Sequence, residues 1–321
     1  MQNEWKIEIK LILVFCAVFV LGVLYFYGVG RVRMQEQYIA SKISLIQNSF
    51  DTFTPTSKSV YVYAPESDYI LFAHHEYTTL PLASLTKIMT SVVALEKMDP
   101  TDKITIDEEA KNTYGDNGLV LNESWQLYDL IQFMMFVSSN DGAQAIARFY
   151  DTHYVSNDPL NNSTFVTEMN YTAQSFLLPS LSFRNASGLD EEETTGGEGN
   201  ARDIAQLYYK LYLEHSDVVT NSAVFNQNYT SIDGITHSPT NTNILLENDN
   251  EGVLGSKTGY TANAGGNLIM LLDTKLGEPV VLVVLGNTID GRFQEMKDIL
   301  ARTREFTNRL YSLGLSFNNL K

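Results

Sequence analysis

The sequence predicts an α+β fold, in which an antiparallel sheet of about five strands carries a helical subdomain and is preceded by one transmembrane helix. Segments with strand patterns lie near both ends of the body and enclose a middle with helical periodicity. An uncharged apolar stretch, residues 11–30, precedes the body. As a helix it would span about 30 Å, the thickness of the hydrocarbon core of a bilayer.

The composition argues against several classes of function. The chain has 321 residues, a net charge of −16 and an isoelectric point of about 4.7, which disfavours nucleic acid or an anionic lipid surface as the main partner. Its one cysteine, Cys16, lies in the apolar stretch, so we expect no disulfide or thiol chemistry in the body. The five histidines show no paired metal-binding spacing, and the sequence predicts neither a metal site nor a cofactor.

We interpret the apolar stretch as an uncleaved membrane anchor. The competing interpretation is a cleaved signal peptide, but its apolar core is usually shorter and no Ala-x-Ala site follows here. Basic residues flank the stretch on both sides and leave its orientation open by charge alone: Lys6, Lys10, Arg31 and Arg33. The chain is thus divided into an anchor (residues 1–33), a polar stalk (residues 34–58) and a folded domain (residues 59–321).

The folded domain is predicted to begin with a β-hairpin and a helix. Residues 59–65 and 69–75 have strand patterns and are separated by a short turn. The helix that follows contains Ser84, continues to about Met98 and is stopped by Pro100.

The spacing of apolar residues is helical in the middle of the domain and strand-like toward its end. Helical spacing is found in four middle segments: 127–137, 142–150, 164–176 and 200–215. Asn200 begins the last of these, with Asp203 three residues on, as in a variant of the capping box. Three strands and a closing helix are predicted after them: 252–261, 265–274, 279–288 and 294–313.

Three polar clusters lie on or beside these elements. The first contains Ser84 and Lys87, which are one helical turn apart, so the lysine amine can reach the serine hydroxyl. A hydroxyl is a poor nucleophile until a base removes its proton, and a lysine acts as that base only when burial or a second cation lowers its pKa. The pair therefore indicates a nucleophile that lies beside its own base.

The second and third clusters fit the same chemistry. Ser138 is suited to passing a proton to a leaving group, and Asn140 to orienting Lys87 and a substrate amide. The sequence Lys257-Thr258-Gly259 offers a positive charge, a hydroxyl for a substrate carboxylate, and a glycine where backbones approach closely. Lys257 is also a candidate for the second cation.

Each cluster alone has an ordinary explanation. A Ser-x-x-Lys match arises by chance about once in a chain of this length, and Ser84 could simply begin a helix. Ser138 to Asn140 could form a turn between helices, and Lys257 could lie at a solvated strand end. The three clusters together, in this order and on these elements, favour a catalytic site.

Longer stretches around the clusters resemble a known family. They are "YVYAPESDYILFAHHEYTTLPLASLTKIMTSVVALE", "FRNASGLDEEETTGGEGNARDIAQL" and "TNILLENDNEGVLGSKTGYTANAGGNLIM". With them, residues 57–313 resemble serine-type D-Ala-D-Ala carboxypeptidases, which are low-molecular-mass penicillin-binding proteins with a β-lactamase/transpeptidase-like fold. The resemblance implies hydrolysis of the terminal D-alanine from peptidoglycan stem peptides, with β-lactams as covalent inhibitors.

The resemblance also assigns roles to residues. Ser84 would be the acylated nucleophile and Lys87 its base, with Ser138 and Asn140 as the pair of the second motif. The third motif would bind substrate through Lys257, Thr258, Gly259 and Tyr260. Backbone N–H groups of Ser84 and Tyr260 would form the oxyanion hole.

The sequence departs from the family pattern in places. Ser139 stands where these carboxypeptidases usually have glycine, which weakens the inference about the exact substrate. Asn200 replaces the usual Ser or Thr before Ala-Arg-Asp, which affects only a helix cap. The loop at residues 190–199 is long and acidic. No second β-rich domain is predicted after residue 313, and the anchor lies at the N-terminus.

Two rival functions remain. A class A β-lactamase would need a glutamate that activates the deacylating water, but residues 157–161, "NDPLN", have the Leu-Asn of that pattern without the glutamate. A penicillin-binding sensor would need an output domain, and only about ten residues precede the apolar stretch.

From the implied substrate we expect a single-pass protein of the cytoplasmic membrane with an extracytoplasmic folded domain.

Overall fold

A five-stranded antiparallel sheet lies at the centre of the computed structural model, which describes residues 2–44, 46, 48–115, 118–155 and 163–321. Its strands are β1 Ser59–Ala64, β2 Tyr69–His74, β10 Val253–Thr261, β11 Gly265–Leu272 and β12 Val280–Asn287. They stand in the order β10-β11-β12-β1-β2. The five-stranded antiparallel sheet predicted from the sequence is therefore confirmed. The first strand, β1, lies next to the last strand, β12.

The helices pack on both faces of this sheet. They are α2 Thr86–Lys97, α3 Glu108–Lys111, α4 Leu127–Val137, α5 Asn140–His153, α6 Phe165–Ser175, α7 Ala201–Glu214, α8 Ser216–Thr220 and α9 Gly291–Ser312. Helix α1, Gln2–Ile43, precedes them, and its most apolar window is not buried. The middle helices form the predicted helical subdomain on one face, and α9 covers the other. Because both faces are covered, the central strands are apolar on both sides, as in "VVLVVL" of β12.

Single-turn 3₁₀ helices and short strand pairs complete the described chain. The 3₁₀ turns are Ala83–Leu85, Asn221–Ala223, Ile244–Glu247 and Phe317–Leu320. The short strands are β3 Leu80–Pro81, β4 Lys103–Thr105, β5 Ser124–Gln126, β6 Ser182–Phe183, β7 Gly197–Gly199, β8 Tyr229–Thr230 and β9 Thr236–His237. They pair as β3-β7-β6, β4-β5 and β8-β9.

The register of the sheet determines which way Lys257 points. Lys257, Ile269, Val283, Tyr61 and Ala73 form one row across the five strands. In this row Ile269, Val283 and Tyr61 belong to the core under the helical subdomain. Because side chains in one row share a face of the sheet, Lys257 also faces that subdomain.

Helix α1 extends beyond the predicted anchor. By length and composition its Leu13–Ile43 part qualifies as a membrane span, with a mean hydropathy of 2.3 in its most apolar window. Near its C-terminal end, Ile39 and Ile43 pack against the core under α9, and Lys42 Nζ donates to the Leu313 carbonyl at 2.5 Å. The segment predicted as a stalk therefore contains the end of a helix that contacts the folded body.

A carboxylate of α9 fixes the chain just before β1. Glu295 is buried, and its two oxygens accept hydrogen bonds from the Thr56 amide at 2.5 Å, from the Ser57 hydroxyl and from Asn287 Nδ2 at 2.9 Å. This clamp, formed by Glu295, connects the residues just before β1 to the last residue of β12.

The observed elements differ from the predicted ones mainly at their ends. Helix α4 has the predicted bounds, whereas α5 begins two residues earlier than predicted, at Asn140. Ser84 lies in the 3₁₀ turn before α2 rather than within the helix, because Ala83 has a positive φ of 48° that interrupts helical geometry. The "NDPLN" segment, residues 157–161, lies outside the described residues.

Candidate active site

The first two predicted residues, Ser84 and Lys87, are in contact. The 3₁₀ turn presents Ser84 at the N-terminus of α2, and Lys87 follows in the first turn of that helix. Lys87 Nζ donates to Ser84 Oγ at 2.9 Å. Ser84 therefore does not cap the helix: the N-cap position belongs to Leu85, which makes no side-chain cap.

The Lys87 amine is buried and has three acceptors. Besides Ser84 it donates to Asn140 Oδ1 and to the Ser187 carbonyl, both at 2.7 Å. Burial disfavours the charged form and lowers the pKa of Lys87 to about 7, although the negative charge of Asp141 acts in the opposite direction. Close to neutral pH a substantial fraction of this amine is therefore unprotonated and can accept a proton.

The second cluster forms the turn between α4 and α5. Ser138 ends α4 in the left-handed conformation, with a φ of 64°, and Asn140 is the first residue of α5. This turn directs the Ser138 hydroxyl to Lys257 and the Asn140 amide to Lys87, so the two residues bind different lysines.

The third cluster lies on β10, at the edge of the sheet. Lys257 is buried, and its Nζ donates to Ser138 Oγ at 2.7 Å and to the Thr258 carbonyl at 2.9 Å. Burial, together with the positive charges of Lys87 and Arg292, holds the pKa of Lys257 well below its usual value. The positive charge expected at the carboxylate site is therefore strongly desolvated.

Gly259 allows β10 to approach the nucleophile. A Cβ atom at this position would lie 2.9 Å from the Leu82 carbonyl oxygen and 3.2 Å from the Ser84 amide nitrogen. Only a glycine lets the strand pass the Ser84 backbone at this distance, as the sequence predicts. The next residue, Tyr260, has a half-exposed side chain at the rim of the site.

The structure adds residues that the motifs do not reveal. Thr242 lies beside the third cluster, and its Oγ1 accepts a hydrogen bond from Thr258 Oγ1 at 2.6 Å. The guanidinium of Arg292, from α9, donates to the Gly259 carbonyl at 2.5 Å, and burial lowers its pKa to about 10. Thr242 and Arg292 lie 15 residues before and 35 residues after Lys257 along the chain, as their numbering shows, and neither carries a local sequence signal.

Gly188 brings the Ser187 carbonyl to Lys87. It has a φ of 80°, and a Cβ atom there would lie only 1.9 Å from the Ala83 carbonyl oxygen. Asn185 stabilises the same turn by accepting a hydrogen bond from the Gly188 amide at 2.7 Å. The Asn-x-x-Gly-Leu part of the long loop therefore supplies a hydrogen-bond acceptor to the Lys87 amine.

The acidic loop contacts the turn that follows β10. Asp190 Oδ2 accepts a hydrogen bond from the Asn263 amide at 3.1 Å, in the turn between β10 and β11. Beyond it Glu191 and Thr194 pair through their backbones and fold the loop back on itself. Residues 190–194 therefore lie next to the strand that carries the third cluster.

Similarity to known proteins agrees with this geometry. Residues 47–288 match the peptidase family described as D-alanyl-D-alanine carboxypeptidase. D-alanyl-D-alanine carboxypeptidase DacA of Haemophilus influenzae is 32% identical over 228 residues, which cover 68% of this chain and 54% of the relative. D-alanyl-D-alanine carboxypeptidase DacC of Escherichia coli is also 32% identical, over 68% of this chain and 54% of the relative. The chain thus spans about half the length of these curated relatives.

Solved structures show the same fold. Penicillin-binding protein D2 of Listeria monocytogenes, in its cefotaxime-bound form, is 25% identical with a TM-score of 0.62, over 78% of this chain and 98% of the other. A mutant of the Streptomyces K15 DD-transpeptidase is 22% identical with a TM-score of 0.68, over 78% and 98%, and supports the fold alone. Since the family match extends over most of the sequence, the chain belongs to the D-alanyl-D-alanine carboxypeptidase family.

Proposed function

We propose that this protein is a serine-type D-Ala-D-Ala carboxypeptidase that removes the terminal D-alanine from peptidoglycan stem peptides through an acyl-enzyme on Ser84. The observation that carries the proposal is the 2.9 Å contact between Ser84 Oγ and the buried Lys87 amine, whose pKa is lowered to about 7. A nucleophile needs a base that is unprotonated at working pH and within hydrogen-bond reach, and Lys87 meets both conditions.

In the proposed acylation step, neutral Lys87 accepts the proton of Ser84 while Ser84 Oγ attacks the carbonyl carbon of the D-Ala-D-Ala amide. The backbone N–H groups of Ser84 and Tyr260 stabilise the negative charge on the carbonyl oxygen. The proton then passes through Ser138 to the leaving nitrogen, and the C–N bond breaks to release D-alanine. Water hydrolyses the remaining ester and regenerates the Ser84 hydroxyl.

We assign the terminal carboxylate of the substrate to Lys257 and Thr258. A desolvated cation and an adjacent hydroxyl can both bind a carboxylate strongly, because charge-assisted hydrogen bonds are strong where water is excluded. Gly259 supports this role by letting the strand lie against Ser84. We assign the substrate amide to Asn140, which lies in contact with Lys87.

We further propose that residues 1–33 anchor the protein in the cytoplasmic membrane, that residues 34–58 connect the anchor to the body, and that residues 59–321 form an extracytoplasmic catalytic domain. The apolar part of α1 supports the anchor, and the location of peptidoglycan supports the orientation. The expected result is full-length protein in the membrane fraction whose body is digested by protease added outside intact cells. Uncleaved protein in the soluble fraction would contradict the anchor.

The decisive experiment uses the full-length chain in detergent. The protein is incubated with a penicillin while its intact mass is followed, and D-alanine release from a D-Ala-D-Ala peptide is measured in parallel. We expect a long-lived adduct on Ser84 together with D-alanine release, and neither in S84A. The control S175A, on α6 and away from the site, should behave as wild type.

The other outcomes identify the rival functions. Rapid recovery of unmodified protein with hydrolysis of the drug would indicate a β-lactamase. A stable adduct without peptide turnover would indicate a penicillin-binding sensor. Absence of both adduct and turnover in wild-type protein would exclude the roles proposed for Ser84 and Lys87.

A further inference from the structure

Ser139 is the residue in which the second motif departs from the usual glycine, and its side chain does not enter the substrate site. It is fully buried, and its hydroxyl accepts a hydrogen bond from the Gly142 amide at 2.9 Å. It therefore caps the N-terminus of α5. The same hydroxyl donates its proton to the carboxylate of Asp141.

Asp141 carries a carboxylate that is almost completely removed from solvent. Its side chain is 1% exposed, and Oδ1 accepts hydrogen bonds from the Ser139 hydroxyl and, at 3.1 Å, from the Gly142 amide. Oδ2 is buried and has no hydrogen-bond partner among the described residues. Such a group is costly to bury, so its presence calls for a compensating role.

The Ser139–Asp141 link lies between the two residues that face the site. Ser138, in the left-handed conformation, contacts Lys257, and Asn140 contacts Lys87. A change in the turn from 138 to 142 therefore moves both contacts together. The packing leaves little freedom, since a Cβ atom at Gly142 would lie 2.9 Å from Ser139 Oγ.

The charge of Asp141 acts on the same site. Two cations interact with it electrostatically, Lys87 from α2 and Lys111 from α3. Among the other charges on elements that pack on α5, Glu168 of α6 pairs with Lys97 and Lys103 of β4 is exposed. Glu109 of α3 pairs with Arg148, and α4 carries Asp129 in its first turn. Burial raises the pKa of Asp141, while the Ser139 hydrogen bond favours its charged form.

We propose that Asp141 is a positioning residue for acylation: its buried carboxylate holds the Ser139 turn that directs Ser138 and Asn140, and its negative charge acts on the Lys87 amine. The serine at position 139 supplies the hydroxyl that orients this carboxylate. The inference rests on the proposed acyl transfer at Ser84.

The test compares D141N and S139A with wild type by the pH profile of the second-order rate constant for penicillin acylation. Asparagine keeps the shape and the acceptor oxygen of Asp141 but removes the charge that favours the protonated amine of Lys87. The acid limb of D141N should therefore move to lower pH, by about half a unit or more, and its plateau should fall about three- to tenfold because the base is weaker. S139A keeps the charge, so its acid limb should stay while its plateau falls about threefold or more through the loosened turn.

The matched control is D151N, which removes a charge from the same helix at a position where the carboxylate binds the Phe165 amide instead. Its profile should equal that of wild type. An acid limb of D141N that coincides with wild type, or an equal displacement in D151N, would overturn the electrostatic part. If thermal melting shows that D141N does not fold, the positioning role is tested with S139A alone. An acylation rate constant of S139A that reaches the wild-type plateau would overturn that role. Wild-type protein that forms no adduct would instead refute the proposed function itself.

Discussion

Lys257 and Ser138 are joined by a hydrogen bond of 2.7 Å between Nζ and Oγ, although 119 residues separate them in the chain. One residue belongs to the edge strand of the sheet and the other to the turn between two helices of the helical subdomain. The bond therefore spans the boundary between the two parts of the fold. Ser84, Lys87 and Asn140 lie at the same boundary, so the position of the site depends on how the sheet and the helices pack.

The lowered pKa of Lys87 predicts the pH dependence of acylation. Since the unprotonated amine is the active form, the second-order rate constant for acylation should rise with pH and level off above the pKa of about 7. The measurement is the rate of penicillin adduct formation between pH 5 and 9. K87R, which keeps a cation but cannot supply a neutral base, should lose at least about a hundredfold in rate. A rate independent of pH across this range would exclude Lys87 as the base.

Recognition of the substrate carboxylate predicts a loss with amidated peptides. If Lys257 and Thr258 bind that carboxylate, amidation leaves a buried cation without its partner, and kcat/KM should fall about tenfold to a hundredfold. The measurement compares D-alanine and D-alaninamide release from otherwise identical peptides. Equal kcat/KM values for both peptides would remove this role.

The contact of Thr258 with Thr242 predicts a specific effect on binding. Without the Thr242 hydroxyl, Thr258 loses its partner at 2.6 Å and its orientation toward the substrate. T242V should therefore raise KM about threefold to tenfold while kcat changes little. T242S keeps the hydroxyl and serves as the matched control with nearly wild-type KM. A KM in T242V equal to that of T242S would show that Thr242 does not contribute.

Gly188 provides a test of the loop that carries the Ser187 carbonyl. G188A combines an unfavourable φ with a steric clash against Ala83, so we expect the loop to move away from Lys87 and acylation to slow by at least about tenfold. G277A is the matched control, because Gly277 has nearly the same φ, 81°, but no atom within 4 Å of an added Cβ. It should lose only about 1 kcal/mol of stability and keep its activity. Equal acylation rates in both variants would contradict the role of the loop.

The clamp made by Glu295 predicts a stability effect without a direct effect on chemistry. Oε1 accepts from the Thr56 and Ser57 amides, and Oε2 from the Ser57 hydroxyl and Asn287, so in E295Q the NH₂ group that replaces either oxygen faces donors. The free energy of unfolding should fall by about 2–4 kcal/mol. The measurement is urea unfolding of the full chain, with E305Q as control, since Glu305 is exposed on the same helix. A loss no larger than that of E305Q would show that the clamp is not important.

The sequence predicts the long elements well because their patterns are local. Strands β10, β11 and β12 lie within one or two residues of their predicted bounds, and α4 lies on them. The short strands were not predicted, because two- or three-residue pairs such as β4 with β5 have no period of their own. The 3₁₀ turn at Ser84 was also missed, since it depends on the positive φ of Ala83, a residue type that normally favours helix.

The residues of the candidate site also fall into those that local sequence motifs predict and those that only the fold reveals. The motifs indicate which residues come together. The structure joins Ser84, Lys87 and Asn140 by hydrogen bonds around the Lys87 amine, and Lys257 and Ser138 by a separate hydrogen bond. Contributions from the backbone and from distant side chains could not be predicted. The Ser187 carbonyl, Thr242 and Arg292 reach the site only through the fold, and the buried link from Ser139 to Asp141 is visible only once α5 is placed.

The burial of Lys87 and Lys257 also affects the stability of the whole protein. Both pKa values lie below the value of 10.5 in the unfolded chain, so the unfolded state binds more protons than the native state, and the free energy of unfolding increases as pH rises from about 7 to 10.5. At neutral pH the site therefore weakens the fold that carries it. A laboratory selection for heat resistance alone should enrich substitutions of these two lysines by apolar residues of similar volume, and the survivors should be inactive.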